Sequence, residues 1–310
     1  MQSLTRAETA HWLLCHDRYF ILTHCGPDGD TIGSAAALCR GLRQLGKTAW
    51  VIDDPDFQDK FVYLLDGLRK TRADQDDTVI SVDVAAPHML SDESYTQALQ
   101  LRIDHHSSAT AFGAYDLVDS TAAACGEIIY DLLMLLGVTM DTPIANALYT
   151  AVSTDTGCFR YANTTDKTFM VAAACKAVSP DLTEITRQLF DTVTLGRLKL
   201  QSWLVEHMEL LQGGTIAICA IPLDLKDRLG ITEEDMENIS GFPRSIAGVK
   251  ISATLREDEE GPVKLSVRAV PGYDAAAICE KFGGGGHKGA AGAGLDMSLQ
   301  QAVEAVKAVL

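Results

Sequence analysis

Four short stretches in the first half of the chain carry aspartate and histidine at spacings that could hold metal. They are His24-Cys-Gly-Pro-Asp28-Gly-Asp30, Asp83 at the end of Val79–Asp83, Asp104-His105-His106, and Ser153-Thr-Asp155-Thr-Gly157. Each has an ordinary reading beside the chemical one. Asp28 and Asp30 suit a turn that opens a helix, although glycines there also free backbone N–H groups for an anion. Asp155 suits the polar cap of a glycine-terminated helix. Two histidines after an aspartate are harder to place as core filler, because each buried imidazole needs a polar partner. Together the stretches hold five aspartates and three histidines, and even four aspartates (Asp28, Asp30, Asp83, Asp155) with two histidines (His24, His105) are too many for one ion that keeps an open position. Carboxylate oxygen mixed with imidazole nitrogen suits Mn2+, Fe2+ or Co2+ better than a structural Zn2+. Two ions sharing a bridging carboxylate fit the count, with a typical separation of roughly 3.5–4 Å. Such a pair lowers the pKa of a bound water towards about 7 and clamps both oxygens of an in-line phosphoryl transfer. The chemistry expected is phosphate-ester hydrolysis by in-line attack of a metal-bound hydroxide.

The elements that must position these residues read as α/β. Strands are expected at Arg18–His24, Thr48–Ile52, Asp77–Asp83 and Leu99–Asp104, since apolar runs without strict alternation belong to a parallel sheet covered on both faces. The first three stretches then fall at or just past strand ends, the edge where ligands bind in open α/β sheets. Helices are expected at Thr31–Leu45, Thr121–Leu136, Thr142–Thr154 and Asp166–Ala177, followed by a long amphipathic stretch over Thr192–Leu211. Beyond it the pattern changes to strands at Thr215–Ile221, Val249–Arg256 and Val263–Ala269, the last two joined by a polar turn over residues 257–262. Helices at Glu233–Ile239, Ala275–Phe282 and Ser298–Val309 complete a smaller unit. The expected organisation is a mostly parallel sheet flanked by helices over residues 1–194, a helical linker over 195–212, and a second, smaller α/β domain over 213–310. A substrate cleft is expected between the two.

Length and composition bound the rest. A chain of 310 residues suits two domains. The formal charge of −16, from 42 acidic and 26 basic residues, leaves it poorly equipped to track long nucleic acid. A small anion at a local positive site fits better. The eight cysteines are scattered without a C-x-x-C pair and read as free thiols. No apolar run reaches the roughly 18 residues of a membrane span. Arg6, Glu8, His16, Asp17 and Arg18 break up the N-terminus, so no signal peptide and a cytoplasmic location are expected.

Two features of the second half could contact a substrate. The run Phe282-Gly-Gly284-Gly285-Gly286-His287-Lys-Gly-Ala-Ala-Gly292 holds too many glycines for an ordinary helix or strand interior, and its N–H groups could form an anion nest. Lys264, Ser266 and Arg268 alternate onto one strand face, where a planar guanidinium could grip a phosphate or base at two points. In the first half, Arg160 could reach a phosphate, whereas Asn163-Thr-Thr-Asp166 reads as a helix N-cap. His11, His16, His88 and His207 read as surface or satisfied core histidines.

The order His-x-x-x-Asp-x-Asp, Asp, Asp-His-His, Asp resembles the DHH phosphoesterases, and the glycine run resembles the Gly-Gly-Gly-His signature of the DHH-associated domain that binds nucleic acid. The resemblance covers essentially the whole chain. It implies one divalent ion, Mn2+, on His24 and Asp28, a second on Asp30, His105 and Asp155, and Asp83 as the bridge. It implies that His106 faces the scissile phosphate as electrostatic stabiliser or proton donor, and that Asp104 orients the histidine pair. Substrate contacts would come from Arg268, Lys264 and His287, with the glycine run cradling a phosphate. Within the family the chain is similar to the bacterial nanoRNase group, which implies short oligoribonucleotides and 3′-phosphoadenosine 5′-phosphate as substrates. A cyclic- or linear-dinucleotide phosphodiesterase and a RecJ-like single-strand exonuclease remain alternatives. So does a non-catalytic nucleotide sensor, although a sensor needs no complete ligand set. The oligomeric state is not set by the sequence, a homodimer being one expectation.

Overall fold

The computed structural model describes residues 2–106, 112–259 and 261–310. They form two compact units, Met1–Thr192 and Val193–Leu310.

In chain order the first unit comprises β1 (Gln2–Ser3), α1 (Arg6–Cys15), β2 (Tyr19–Leu22), α2 (Gly29–Gln44), β3 (Ala49–Ile52), α3 (Asp59–Val62), β4 (Arg69–Lys70), β5 (Thr78–Val82), β6 (Leu101–Asp104), β7 (Tyr115–Val118), α4 (Cys125–Leu135), α5 (Thr142–Asp155), α6 (Asp166–Val178) and α7 (Leu182–Thr186). Its seven strands lie in the order β1-β7-β6-β5-β2-β3-β4, every neighbouring pair parallel. Strands β2 and β5 are buried at every position, the expected result for a sheet with helices on both faces. The chain leaves β2 towards β3 on one side and continues from β5 towards β7 on the other, so the strand order reverses between β2 and β5. Crevices at such a switch point are where open α/β sheets bind ligands.

The parallel sheet is the one expected. The short strands β1 and β4, the strand β7 and the helix α1 were not anticipated, and the helix expected from Thr121 begins only at Cys125. Helix α2 is the spine of this unit. Thirteen of its residues are buried, Gly29 to Ser34 without a break among them. Such close packing needs small residues: a Cβ on Gly29 would lie 2.4 Å from the Thr154 side chain of α5. The start of α2 and the end of α5 therefore touch.

The second unit comprises α8 (Leu195–His207), β8 (Glu209–Leu211), β9 (Ile216–Ile221), α9 (Leu225–Leu229), α10 (Glu233–Met236), β10 (Ile251–Arg256), β11 (Val263–Ala269), α11 (Ala275–Glu280), β12 (Gly285–His287), β13 (Ala290–Leu295) and α12 (Leu299–Val309). Its six strands run β12-β13-β11-β10-β9-β8, with only β9 and β10 parallel. Residues of α11 and α12 share one core with this sheet. Leu200 and Leu204 of α8 are buried in another with Cys219, Ile221 and Met236.

Three expectations need correction here. The helical stretch expected to Leu211 ends at His207, and Glu209–Leu211 pair with β9. The helix expected over Glu233–Ile239 stops at Met236. The glycine run is not an open loop either: Gly285–His287 form an edge strand paired with β13. Glycine serves close approach there, since a Cβ on Gly284 would lie 2.1 Å from the Gly292 carbonyl. The polar turn expected over 257–262 includes Glu260, which lies outside the described residues.

All eight cysteines are free. Among the described residues no helix is long and apolar enough to cross a membrane.

Candidate metal centre

The four aspartate–histidine stretches converge at the carboxyl edge of the first sheet. His24 follows β2, Asp83 follows β5, Asp104 ends β6, and Asp155 ends α5. Their ligand atoms fall into three overlapping groups, each within 4.8 Å: His24, Asp28 and Asp83; Asp30, His105 and Asp155; and Asp83, His105 and His106.

Local backbone explains how each side chain is aimed. Asp28 is the N-cap of α2, its Oδ1 accepting from the N–H groups of Asp30 and Thr31 at 3.0 and 3.2 Å. Asp30, in the first turn of α2, is wholly buried. Its two oxygens accept from the N–H groups of Cys125 and Gly126 at 2.6 and 2.9 Å, where α4 begins. Ser34 Oγ also donates to it. Asp83 adopts φ of 59°, a left-handed conformation that costs an aspartate on the order of 1–3 kcal/mol and recurs at functional sites.

The imidazoles are held in a form suited to coordination. His24 Nδ1 donates to the Cys25 carbonyl at 3.0 Å and His105 Nδ1 to the Ala122 carbonyl at 3.2 Å. A carbonyl can only accept, so each Nδ1 carries a proton, and it is Nε2 that faces the cluster and offers a lone pair once its own proton is displaced. His24 Nε2 lies 3.5 Å from Asp28 and 3.7 Å from Asp83. His105 Nε2 lies 3.4 Å from Asp83, 3.4 Å from Asp155 and 3.7 Å from Asp30. The Asp83 carboxylate thus faces His24 with Oδ2 and His105 with Oδ1, His106 Nδ1 also lying 3.6 Å from Oδ1, and that buried Oδ1 has no hydrogen-bond partner among the described residues.

Charge in the pocket is unbalanced without a cation. Burial, reinforced by Asp83 and Asp155, drives the Asp30 carboxyl well above the ordinary carboxylate range. Burial likewise pushes Asp155 up to about 6, against the pull of His105. The imidazoles compensate. Burial pulls His24 down, but its bond to Asp28 outweighs this and raises it to about 9. His105 rises to about 10 for the same reason, against burial, through Asp83 and Asp30. A buried cluster in which Asp30, Asp155, His24 and His105 all shift towards holding protons is one where divalent cations can take the protons' place. The donor set and the orphaned Asp83 oxygen both fit such ions.

His106 is oriented differently. Its Nδ1 lies 2.8 Å from Asp104 Oδ1, which also accepts from the N–H groups of His105 and His106. Asp104 itself is fully buried. Burial raises its carboxyl, but the His106 bond and the Arg102 charge hold it below the usual value.

Two contributors to this region were not anticipated. Arg102 is buried, with Nη1 3.7 Å from Asp104 Oδ2 and Nε 3.0 Å from Asp116 Oδ1. A charged residue inside the apolar run Leu101–Ile103 was the available signal. Asn163, read as part of an N-cap, instead donates to the carbonyls of Ala123 and Asp155 at 3.0 and 3.2 Å. The cap of α6 is Thr165.

The other candidate contacts are placed as follows. Arg160 is exposed, its Nε donating to the Gly157 carbonyl at 2.6 Å. In the second unit Arg268, Ala290 and His287 occupy one register row across β11, β13 and β12. Ser266 pairs with Gly292, which in turn pairs with Gly285. Lys264 stands at the far end of β11 from Arg268, in an ion pair with Asp258. Gly284 precedes β12 and Gly286 lies within it.

A parallel sheet carrying overlapping carboxylate–imidazole clusters at its switch point is an arrangement suited to metal-dependent phosphoester hydrolysis. The N-terminal domain of the DHH family matches residues 18–152 and the DHHA1 domain matches residues 213–310. A Thermus thermophilus protein named bifunctional oligoribonuclease and PAP phosphatase NrnA is 36% identical over 93% of this chain and 89% of its own length. A Bacillus subtilis protein of the same name is 26% identical over 94% of this chain and 93% of its own. The crystal structure of an exopolyphosphatase-related protein from Bacteroides fragilis superposes with a TM-score of 0.86, at 23% identity, over 98% of this chain and 94% of that one. The chain belongs to the DHH family, whose members depend on divalent metal.

Proposed function

We propose that this protein is a two-metal phosphoesterase that hydrolyses short oligoribonucleotides to mononucleotides and removes a phosphate from 3′-phosphoadenosine 5′-phosphate. The observation that carries the reading is Asp83, whose two oxygens face His24 and His105 from a buried position. The substrates follow from the names of the Thermus and Bacillus relatives, which align over nearly the full chain.

In this reading His24 and Asp28 hold one ion, Asp30, His105 and Asp155 hold the other, and Asp83 bridges them. Two Mn2+ ions, when bound, supply an activated water and positive charge opposite the phosphoryl oxygens. The chain's own residues do the rest. Cys25 and Ala122 carbonyls hold the two ligand imidazoles in one tautomer. Asp104 turns His106 so that its Nε2 points away from the carboxylate, free to donate to a phosphoryl oxygen. The N–H groups that begin α4 fix Asp30. Arg160 of the first unit is a proposed phosphate contact, and Arg268, His287, Ser266, Lys264 and the strand Gly285–His287 of the second unit are the proposed contacts to the rest of the substrate. Low basic content keeps long strands from competing, and the cytoplasm is the compartment proposed.

A substrate panel with Mn2+ tests the reading. The dinucleotide, pentanucleotide and 3′-phosphoadenosine 5′-phosphate should be turned over, and a long single strand, a cyclic dinucleotide and pyrophosphate should not. Preferred cleavage of the long strand or the cyclic dinucleotide would replace this reading with an exonuclease or a cyclic-dinucleotide phosphodiesterase. Tight binding without turnover would make the protein a sensor.

A further inference from the structure

We infer that Tyr161 is the base-stacking platform for the nucleotide next to the scissile phosphate, displayed by a left-handed turn that follows Asp155. The inference rests on the nucleotide reading above and specifies a residue for it. Gly157, Cys158 and Phe159 have φ values of 56°, 57° and 63°, three consecutive left-handed residues of which two are not glycine. Side chains with a Cβ seldom adopt that conformation, and stretches that do so cluster at functional sites.

The turn is fastened by many contacts. Cys158 N–H donates to the Ser153 carbonyl at 2.7 Å, and the N–H groups of Arg160 and Tyr161 both donate to the Thr156 carbonyl, at 2.9 and 3.0 Å. Phe159 is turned inward, tilted against Tyr149 and stacked on Phe169 with centroids 5.5 Å apart. Asn163 ties the end of the turn back to the Asp155 carbonyl.

This reversal puts consecutive residues to opposite uses. Phe159 packs inward, while Tyr161 is left 54% exposed. The tyrosine ring lies on Gly157, so close that a Cβ there would meet its Cζ at 2.3 Å and Cε1 at 2.5 Å. Gly157 is two residues from Asp155, so their Cα atoms are at most about 7.6 Å apart. The ring therefore stands within one nucleotide's reach of the metal centre, braced on one side and open to solvent elsewhere. Beside it, Arg160 is anchored through Nε to the Gly157 carbonyl, and its two terminal nitrogens have no hydrogen-bond partner among the described residues. An anchored, open aromatic ring next to an outward guanidinium matches a base and its adjoining phosphate. It also explains how a chain with few basic residues holds a very short oligonucleotide, because stacking uses no charge.

The test compares Tyr161→Ala, Tyr161→Phe and Tyr161→Trp with the unsubstituted Mn2+-loaded protein. The substrates are a dinucleotide and two versions of it, abasic at either nucleotide. Tyr161→Ala should raise KM for the dinucleotide about tenfold with kcat nearly unchanged, the size expected for one base stacked on one ring. Phe and Trp should retain the parent KM. One abasic substrate should show the raised KM already in the parent protein and lose nothing further in Tyr161→Ala. A dinucleotide KM unchanged in Tyr161→Ala, or an equal loss on both abasic substrates, would overturn the platform while leaving the phosphoesterase reading intact. A parent protein that cleaves no dinucleotide would overturn both.

Discussion

Arg102 and Asp104 stand on the same face of β6, guanidinium to carboxylate at 3.7 Å, both out of contact with solvent. Asp116 balances the arginine from the neighbouring strand β7 at 3.0 Å. One oxygen of Asp104 thereby faces a fixed cation while the other orients His106. The sheet edge that carries the candidate metal centre is thus backed by a buried charge network.

Removing the arginine should therefore harm both fold and site. Arg102→Met leaves two buried carboxylates without their cation, and breaking a buried pair in this way costs on the order of 3–5 kcal/mol. Denaturant unfolding should show that loss. In whatever fraction remains folded, kcat should fall more than KM, because Asp104, which orients His106, loses the cation that fixes it. Unfolding and kinetics that both match the parent would remove Arg102 from the account.

His106 differs from His24 and His105 in that its Nδ1 is taken by a carboxylate rather than by a backbone carbonyl. His106→Ala should lower kcat by about 100-fold or more, the usual loss for one donor at a developing oxyanion, with Mn2+ binding unchanged. Asp104→Asn should reproduce part of that loss. If His106→Ala released an ion instead, His106 would be a ligand.

Asn163 joins the carbonyls of Ala123 and Asp155, the chain segments beside two proposed ligands. Asn163→Ala should weaken Mn2+ binding by about tenfold, in line with other outer partners of metal ligands. Its thermal stability should change little, since the side chain is exposed. Unaltered metal affinity would confine Asn163 to a local turn.

Away from the site, Asp77 is buried just before β5 and paired with Lys70 at 2.5 Å and Arg18 at 3.0 Å. Burial raises its carboxyl, but the Lys70 bond prevails and holds it below its usual value. A depressed carboxyl stabilises the fold above the unfolded value of about 3.9, and that contribution is lost as pH falls further. Unfolding followed from pH 6 to pH 3 should show a steeper loss in the parent than in Asp77→Asn. Parallel curves would contradict this.

The convergence of the site was readable because Asp and His carried it through side-chain type and spacing, and because strand ends in a parallel sheet share one edge. What escaped notice depends on tertiary context. Strands β1 and β4 have two residues each, too short to leave a pattern, and each exists only because a longer neighbour pairs with it. Glycine's entropy cost argues against a strand at 284–286, but it ignores that absent Cβ atoms let strands pair closely. The register of β11 does place Lys264, Ser266 and Arg268 on one face. Alternation could not show that Lys264 meets Asp258. Nor does any local rule give Asp83 its left-handed backbone.

Counting ions tests the central claim most directly. Equilibrium dialysis of the metal-stripped protein against Mn2+ should give two ions per chain, and Asp83→Ala should hold fewer than two at the same free concentration while its circular dichroism stays that of the parent. One ion or none in the parent, or two retained by Asp83→Ala, would contradict a shared two-metal centre.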